Sequence, residues 1–178
     1  FVHRFKVYYN GGAYITGDLT GGAGTTVATE LSSLSLTNSG GGGGIEGVRV
    51  DLLRANGSNT GVRVGTDSSG DAPFQVLPGF AHSFKIYHNG GTAITPERTA
   101  GGTSPVSTVA SDFTLTDSSG SPIEGARVDL LRSNRSNTGV RTSTNSSGVA
   151  VFEVLEGYKH RFKVYYNGGD FTTEEVSF

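Results

Sequence analysis

The decapeptide His-Arg-Phe-Lys-Val-Tyr-Tyr-Asn-Gly-Gly occupies residues 3–12 and recurs unchanged at residues 160–169. A close variant, His-Ser-Phe-Lys-Ile-Tyr-His-Asn-Gly-Gly, lies between them at residues 82–91. The first two copies are offset by 79 residues and the last two by 78. An internal period of this size is typical of a tandem repeat protein, so the decapeptide predicts the architecture of the whole chain.

Each copy of the decapeptide predicts a strand that runs into a tight turn. In the first copy, Phe5 and Val7 alternate with polar neighbours, which is the period of a strand with one face on a core. Asn10-Gly11 then provides the pair of residues that accepts positive φ in a two-residue hairpin. Residues 13–16 are the expected return strand.

The composition favours short strands joined by turns and argues against several classes of partner. The 178 residues include 28 glycines and 5 prolines, which is high for a helical protein. The formal net charge is −2 and the basic residues are scattered, so no patch indicates nucleic acid or anionic lipid. No apolar run approaches the ~20 residues of a membrane-spanning helix. Because cysteine is absent, no disulfide stabilises the repeats.

The same succession of strands is predicted twice. In the first repeat we expect strands at residues 34–37, 48–52, 62–66 and 72–76, in the second decapeptide (82–91) and at residues 92–95. In the second we expect them at residues 113–116, 126–131, 140–144, 149–154, 158–166 and 171–178. Short strands with a turn between each pair, and no helical periodicity, predict an antiparallel β-sandwich.

The repeat pattern divides the chain into three segments. Residues 1–30 are expected to be the final strands of an incomplete repeat, and residues 31–106 and 107–178 are expected to be complete β-sandwich repeats. Residues 99–105 are the clearest connection between the two. We expect the chain to be a mature or trimmed piece of a longer array.

A longer phrase in the second repeat resembles a known family. It runs from Asp117-Ser-Ser-Gly-Ser-Pro-Ile-Glu-Gly-Ala-Arg-Val128, through the turn at 142–148, to Leu155-Glu-Gly-Tyr158. Leu77-Pro-Gly-Phe80 is the counterpart of its end in the first repeat. The phrase resembles the prealbumin-like repeats of bacterial surface proteins, namely Cna-B-type and carboxypeptidase-regulatory-like domains. The resemblance implies an all-β chain of tandem Ig-like or prealbumin-like sandwiches, used as spacers, stalks or fibre units.

Some Cna-B-type domains carry an isopeptide bond between Lys and Asn, and this chain does not match that pattern. Lys6, Lys85 and Lys163 are expected on the outer face of their strands, where no buried acid is at hand. The first strands of the two complete repeats contain no lysine. We therefore interpret these side chains as exposed lysines.

The sequence predicts no enzyme, no cofactor and no metal site. There is no cysteine nucleophile, no His-Glu-x-x-His motif and no glycine loop between a strand and a helix. His3, His82 and His160 occur once per repeat, and we interpret them as residues of the strand surface, because a metal site needs three or four converging ligands. Asp67 and Asp117 are interpreted as turn residues and not as calcium ligands.

Two sets of surface residues are candidates for contacts or modification. Apolar side chains opposite the core indicate a contact surface between repeats, repeated at equivalent positions. They are Tyr8, Tyr87, Tyr165, Leu53 and Leu131. Three Asn-x-Ser matches in predicted loops are candidate N-glycosylation sites, although chance matches are expected in a chain rich in Asn and Ser. These are Asn56, Asn134 and Asn145.

The leading hypothesis is an extracellular or cell-surface structural protein that forms a stalk, fibre or filament with other copies of itself. Head-to-tail packing would propagate if its symmetry does not close, or residues 1–16 would complete a neighbour's sheet by strand addition. An alternative is an adhesin or carbohydrate-binding module that uses the loops at 55–61 and 133–139 and has glycans as partners. A third is an accessory region of a secreted enzyme.

Overall fold

The structure, a computed structural model, describes residues 1–177, and these contain sixteen β-strands and no helix. The predicted all-β class is confirmed. The first ten strands are β1 (Val2–His3), β2 (Lys6–Tyr9), β3 (Gly12–Ile15), β4 (Leu19–Thr20), β5 (Glu30–Thr37), β6 (Arg49–Arg54), β7 (Asn59–Gly65), β8 (Asp71–Val76), β9 (His82–His88) and β10 (Gly91–Ile94). The remaining six are β11 (Gly102–Thr114), β12 (Arg127–Arg132), β13 (Asn137–Ser143), β14 (Val149–Leu155), β15 (His160–Tyr166) and β16 (Gly169–Thr172).

The chain divides into two compact units whose limits differ from those of the sequence repeat. The first unit contains Phe1–Thr37, Gly43–Ile86 and Ile94–Val106. The second contains Asn38–Gly42, Tyr87–Ala93 and Ser107–Phe178. The division of the chain into repeats at residues 1–30, 31–106 and 107–178 stays a prediction.

The first unit is a β-sandwich built on alternating side chains. In one sheet β9, as far as Ile86, pairs with β6 and β6 pairs with β7; in the other, β8 pairs with β5. Phe74 of β8 packs against Phe84 of β9 with ring centroids 5.2 Å apart, and both rings are buried. Leu34, Val50 and the other inward residues of these strands are buried around them. Burial of one face per strand sets the register, since a shift by one residue would turn each apolar side chain to the solvent.

The second unit repeats this arrangement. Its sheet has the order β13-β12-β15-β16, and β14 pairs with β11 from Thr108↔Leu155 to Thr114↔Val149. The buried core comprises Ala126, Val128, Leu130, Ala150, Phe152, Val154, Phe162 and Val164. These residues come from β12, β14 and β15 and from the residue before β12, so the core lies between the two sheets.

Several boundaries differ from the expectations, and the first strand of each repeat begins earlier, at Glu30 and Gly102. The third strand of each repeat begins earlier, at Asn59 and Asn137, so the predicted loops at 55–61 and 133–139 are shorter. The predicted connection at 99–105 is wrong in its second half, because β11 already begins at Gly102. The last predicted strand ends in the structure at Thr172, and its final residue, Phe178, lies outside the described residues.

The N-terminal copy of the decapeptide forms a hairpin, but it lacks the neighbouring strand that pairs with each of the other two copies. In the second unit, β15 pairs with β12 from Arg127↔Tyr165 to Arg132↔His160. The first copy forms the hairpin β2–β3, and no other strand of the described chain pairs with it. As a result Phe5 is 49% exposed, whereas its equivalents Phe84 and Phe162 are 0% and 2% exposed.

Replacement of equivalent phenylalanines by alanine should reduce stability far more in the core than in this hairpin. Phe84→Ala removes a buried ring and should lower the free energy of unfolding by about 3–5 kcal/mol. Phe5→Ala should lower it by about 1 kcal/mol or less, because half of that side chain is already in water. Chemical denaturation measures both. Equal losses would contradict the burial described here.

Candidate functional site

The three Asn-Gly-Gly turns have the same backbone conformation. Asn10, Asn89 and Asn167 have φ of 46°, 47° and 47°, and the glycine after each also has positive φ. In the first hairpin Tyr9 pairs with Gly12 across the two turn residues. Positive φ at both central positions is the type I′ turn that Asn-Gly favours. The predicted turns are therefore confirmed, and each presents an Asn amide and a glycine backbone at its tip.

The first turn is docked by hydrogen bonds inside the first unit. Asn10 Nδ2 donates to the backbone carbonyl of Gln75 at 2.8 Å. Arg54 Nε donates to the backbone carbonyl of Gly11 at 3.2 Å. The amide and the guanidinium thus hold the turn from two sides, and each satisfies a backbone carbonyl.

The glycines of the first turn make close contacts that a side chain would prevent. A Cβ at Gly12 would lie 2.9 Å from Cδ2 of Phe80, and one at Gly11 would overlap the methyl group of Thr60. The turn backbone therefore lies directly against the aromatic side chain. Glycine is required here by packing as well as by conformation.

The second turn is docked in the same way inside the second unit. Asn89 Nδ2 donates to the backbone carbonyl of Glu153 at 2.7 Å. A Cβ at Gly91 would lie 2.9 Å from Cγ of Tyr158, and one at Gly90 would overlap the methyl group of Thr138. We call each set of three partners a docking site: Thr60, Gln75 and Phe80 in the first unit, and Thr138, Glu153 and Tyr158 in the second.

Local structure fixes the threonine of each docking site. Thr60 Oγ1 donates to the carbonyl of Leu52 at 2.8 Å, and Thr138 Oγ1 donates to the carbonyl of Leu130 at 2.7 Å. Each hydroxyl is thereby used on its own sheet, and the methyl group is left to contact the turn. The sheet of each unit therefore fixes the orientation of the threonine that contacts the turn.

A buried histidine supports the aromatic residue of each docking site. The Phe80 and His82 rings stack at 5.5 Å and 14°, and the Tyr158 and His160 rings stack at 5.5 Å and 16°. Both histidines are 0% exposed, so the prediction that they lie on the strand surface is wrong. The physical reason is strand alternation, which places them on the same face as Phe84 and Phe162. His3 is half-buried.

The two histidines differ in their hydrogen bonds. His160 Nε2 is 2.7 Å from Ser111 Oγ, and its Nδ1 is 3.0 Å from the carbonyl of Tyr158. His82 Nδ1 is 2.9 Å from the carbonyl of Phe80, but its Nε2 is buried without a partner among the described residues. Burial lowers the pKa of His82 and the nearby Arg98 lowers it further, against the contact with Phe80, so His82 is neutral in the fold.

Residues 75 and 153 connect the docking sites to other segments of the same unit. The Thr29 hydroxyl donates to the side-chain oxygen of Gln75 at 2.8 Å. The Glu153 carboxylate accepts hydrogen bonds from the hydroxyl of Thr108 and from the backbone and hydroxyl of Ser39, the latter two at 3.0 and 2.7 Å. Burial opposes the charge of Glu153, but these hydrogen bonds outweigh it and lower its pKa.

The third turn is exposed. Asn167, Gly168 and Gly169 all face solvent, whereas Gly12 and Gly91 are buried. A Cβ at Gly168 would meet no atom within 4 Å, and one at Gly169 would have its nearest neighbour at 3.7 Å. The third copy thus has the shape of the other two without a docking site over it in the described chain.

The predicted contact residues lie outside the docking sites. Tyr8 is exposed, and Tyr87 and Tyr165 are half-buried. The Tyr165 ring lies 4.8 Å from the guanidinium carbon of Arg127 and 4.9 Å from Nζ of Lys163, so it stacks on cations of its own sheet. Leu53 and Leu131 are only 3% and 5% exposed. A contact role for these five residues stays a prediction.

A buried carboxylate in each unit was not predicted from the sequence. Arg49 binds Asp51 through two hydrogen bonds of 2.7 Å, and Arg127 binds Asp129 in the same way. Both aspartates are 1% exposed. The pattern Arg-Val-Asp-Leu-Leu-Arg contains the signal, because an arginine and an aspartate two residues apart lie on one face of a strand. We interpret the pairs as structural.

The candidate modification and turn residues lie where the sequence places them. Asn56, Asn134 and Asn145 are exposed, and each side-chain oxygen accepts hydrogen bonds within its own turn. Glycosylation of these residues stays a prediction. Asp67 and Asp117 accept backbone hydrogen bonds from the residue two positions on, as the turn interpretation requires.

Residues 1–177 contain no cluster of three or more His, Cys, Asp or Glu side chains that could hold a metal ion. Within the same residues there is no helix of the length and hydropathy needed to cross a membrane.

Comparison with known proteins identifies distant structural likenesses only. No protein-family model and no curated protein matches the chain. Among solved structures it is similar to the TIE protein of Bacillus anthracis (15% identity, 84% of this chain, 32% of that one, TM-score 0.34). It is also similar to fervidolysin, a keratinolytic enzyme of Fervidobacterium pennivorans (14%, 85%, 29%, 0.42), and to a streptococcal ancillary pilin (14%, 96%, 70%, 0.37). The chain spans about a third of the first two. Similarity at this level does not transfer a function.

A bulky residue at the third glycine position should distinguish docked from undocked turns. Gly91→Val puts a side chain into the Tyr158 ring and should lower the free energy of unfolding by about 1–3 kcal/mol. Gly169→Val is its matched control, because that position is open, and should change it by about 0.5 kcal/mol or less. Denaturant titration measures the difference. Equal effects would mean that docking contributes nothing to stability.

Acid should destabilise the fold through its neutral histidines. Burial is the largest influence on His82 and His88 and lowers the pKa of both from the ordinary 6.5. The unfolded chain therefore binds more protons, and the free energy of unfolding should fall as pH drops below about 6.5. Thermal denaturation between neutral pH and pH 5 measures this. The slope should flatten in the double variant His82→Gln/His88→Gln, and an unchanged slope would assign the effect to other groups.

Proposed function

We propose that the chain is a structural protein of the cell surface, whose repeats form a stalk or fibre in which each compact unit is completed by a turn from the preceding copy of the decapeptide. The supporting observation is the position of Tyr87–Ala93. The repeat pattern assigns these residues to the segment 31–106, yet they cluster with the second unit. A turn that belongs to one repeat in sequence is part of the next unit in space.

The chemistry of the docking sites fits a permanent structural contact. Each joins an amide-to-carbonyl hydrogen bond to a glycine backbone on an aromatic ring, with a threonine methyl beside it. The two sites share the threonine, and at the other two equivalent positions each uses a backbone carbonyl and an aromatic ring. Stability in such an array is a sum of the intrinsic stability of each unit and the terms between neighbours, so a reused contact supports any number of repeats.

A structural role also fits the distribution of charged groups. The buried aspartates are each paired with an arginine, and the exposed ion pair of Lys163 with Asp170 at 3.0 Å lies beside the third turn.

Immunogold electron microscopy of the cells that produce the protein tests the proposal. Antibodies against the chain should label regular fibres or stalks outside the cell, at many positions along each fibre. Label confined to the cell interior, or to dispersed particles in the medium, would overturn it. An antibody preadsorbed with the purified chain is the control for specificity.

A further inference from the structure

The first and third copies of the decapeptide are identical in all ten residues, but among residues 1–177 the first is docked and the third is not. Residues 3–12 and 160–169 have the same sequence. The side chain of Asn10 donates to Gln75, while that of Asn167 has no hydrogen-bond partner among residues 1–177. The two turns share their backbone conformation, with φ of 46° and 47° at the asparagine. The third turn therefore carries every group that the first turn uses.

We propose that the third turn, Asn167–Gly169, binds the docking site of the first unit on a second copy of this chain, in place of that copy's own turn Asn10–Gly12. This inference rests on the proposed function and specifies the contact that would join one chain to the next. By equivalence with the first turn, Asn167 donates to the carbonyl of Gln75, Gly168 lies beside the methyl group of Thr60, and Gly169 lies on the ring of Phe80.

The first unit is the better recipient of the two. Its present occupant is identical to the third turn, including the tyrosine before the asparagine, whereas the turn in the second unit follows His88. Its occupant also has no strand pairing beyond its own hairpin. The hairpin β2–β3 makes no ladder with the main sheets, and its apolar residues Phe5 and Ile15 are 49% and 57% exposed.

The resident turn competes with the incoming one. Because Asn10–Gly12 is tethered to its own docking site, its effective concentration is of millimolar order, as for short flexible connections. Copies at micromolar concentration should therefore remain monomeric. Once the resident turn is displaced, each chain has one exposed turn and one open docking site, which is a heterologous pair that joins chains head to tail.

Sedimentation velocity on the full-length chain tests this with matched variants. Gly12→Val introduces a side chain where Phe80 stands, and Gly12 is not a positive-φ position, so the variant removes docking without straining the turn. It should raise the weight-average mass at least twofold at micromolar concentration, increasing with concentration. The unaltered chain and Gly169→Val should sediment as monomers. The double variant Gly12→Val/Gly169→Val should also be monomeric, because both partners are then blocked.

A pair of Asn→Gly variants, which add no side chain, controls for a folding defect in the valine variants. Asn10→Gly keeps the turn, since glycine accepts positive φ, and removes only the amide that binds Gln75. It should cause weaker association, which Asn167→Gly added to it should abolish. Circular dichroism confirms that each variant remains folded.

Two results would overturn the inference. One is that Gly12→Val and Asn10→Gly both stay monomeric. The other is that the double variants associate as strongly as the single ones, which would assign the association to exposed apolar surface and not to the third turn. If these variants stay monomeric but antibodies still label fibres on the cell surface, the inference fails and the proposed function stands. If Gly12→Val associates but the antibody labels only the cell interior, the proposed function fails and the contact between chains stands.

Discussion

The close approach of a glycine backbone to an aromatic ring is the constraint on which the arrangement of both units depends. It works only if the residue on the ring has no side chain, if the turn before it has positive φ, and if the ring cannot swing away. The stacked His82 and His160 meet the last condition. An Asn amide then fixes the turn to a backbone carbonyl, whose position is set by the sheet and does not depend on a rotamer.

This constraint explains why the compact units are offset from the sequence repeat. A repeat defined by its strands would end after its last hairpin, but the tip of the hairpin at 87–93 packs elsewhere. The second copy of the decapeptide is divided in this way, whereas residues 3–12 lie within the first unit and residues 160–169 within the second.

Much of the fold could be predicted from the sequence, because its signals are local. The alternation in Ala72, Phe74 and Val76 predicts a strand and its inner face, and Asn10-Gly11 predicts a turn. The docking sites could not be predicted, since Asn10 and Gln75 are 65 residues apart and Asn89 and Glu153 are 64 apart. The burial of the histidines could have been predicted in part. The alternation that buries Phe84 also buries His82, but the polarity of the imidazole ring led to the prediction of a surface position. The Asp51 pair was missed for the same reason.

The residue at the centre of each docking site differs between the two units by a single ionisable group. Gln75 has an amide where Glu153 has a carboxylate, and the backbone carbonyl of each accepts the turn. Hydrogen bonds lower the pKa of Glu153, so its contribution is present at neutral pH and is lost when the carboxylate is protonated in acid. The amide of Gln75 does not titrate. The two docking sites therefore differ in acid tolerance, and the one in the second unit should weaken first as the pH falls.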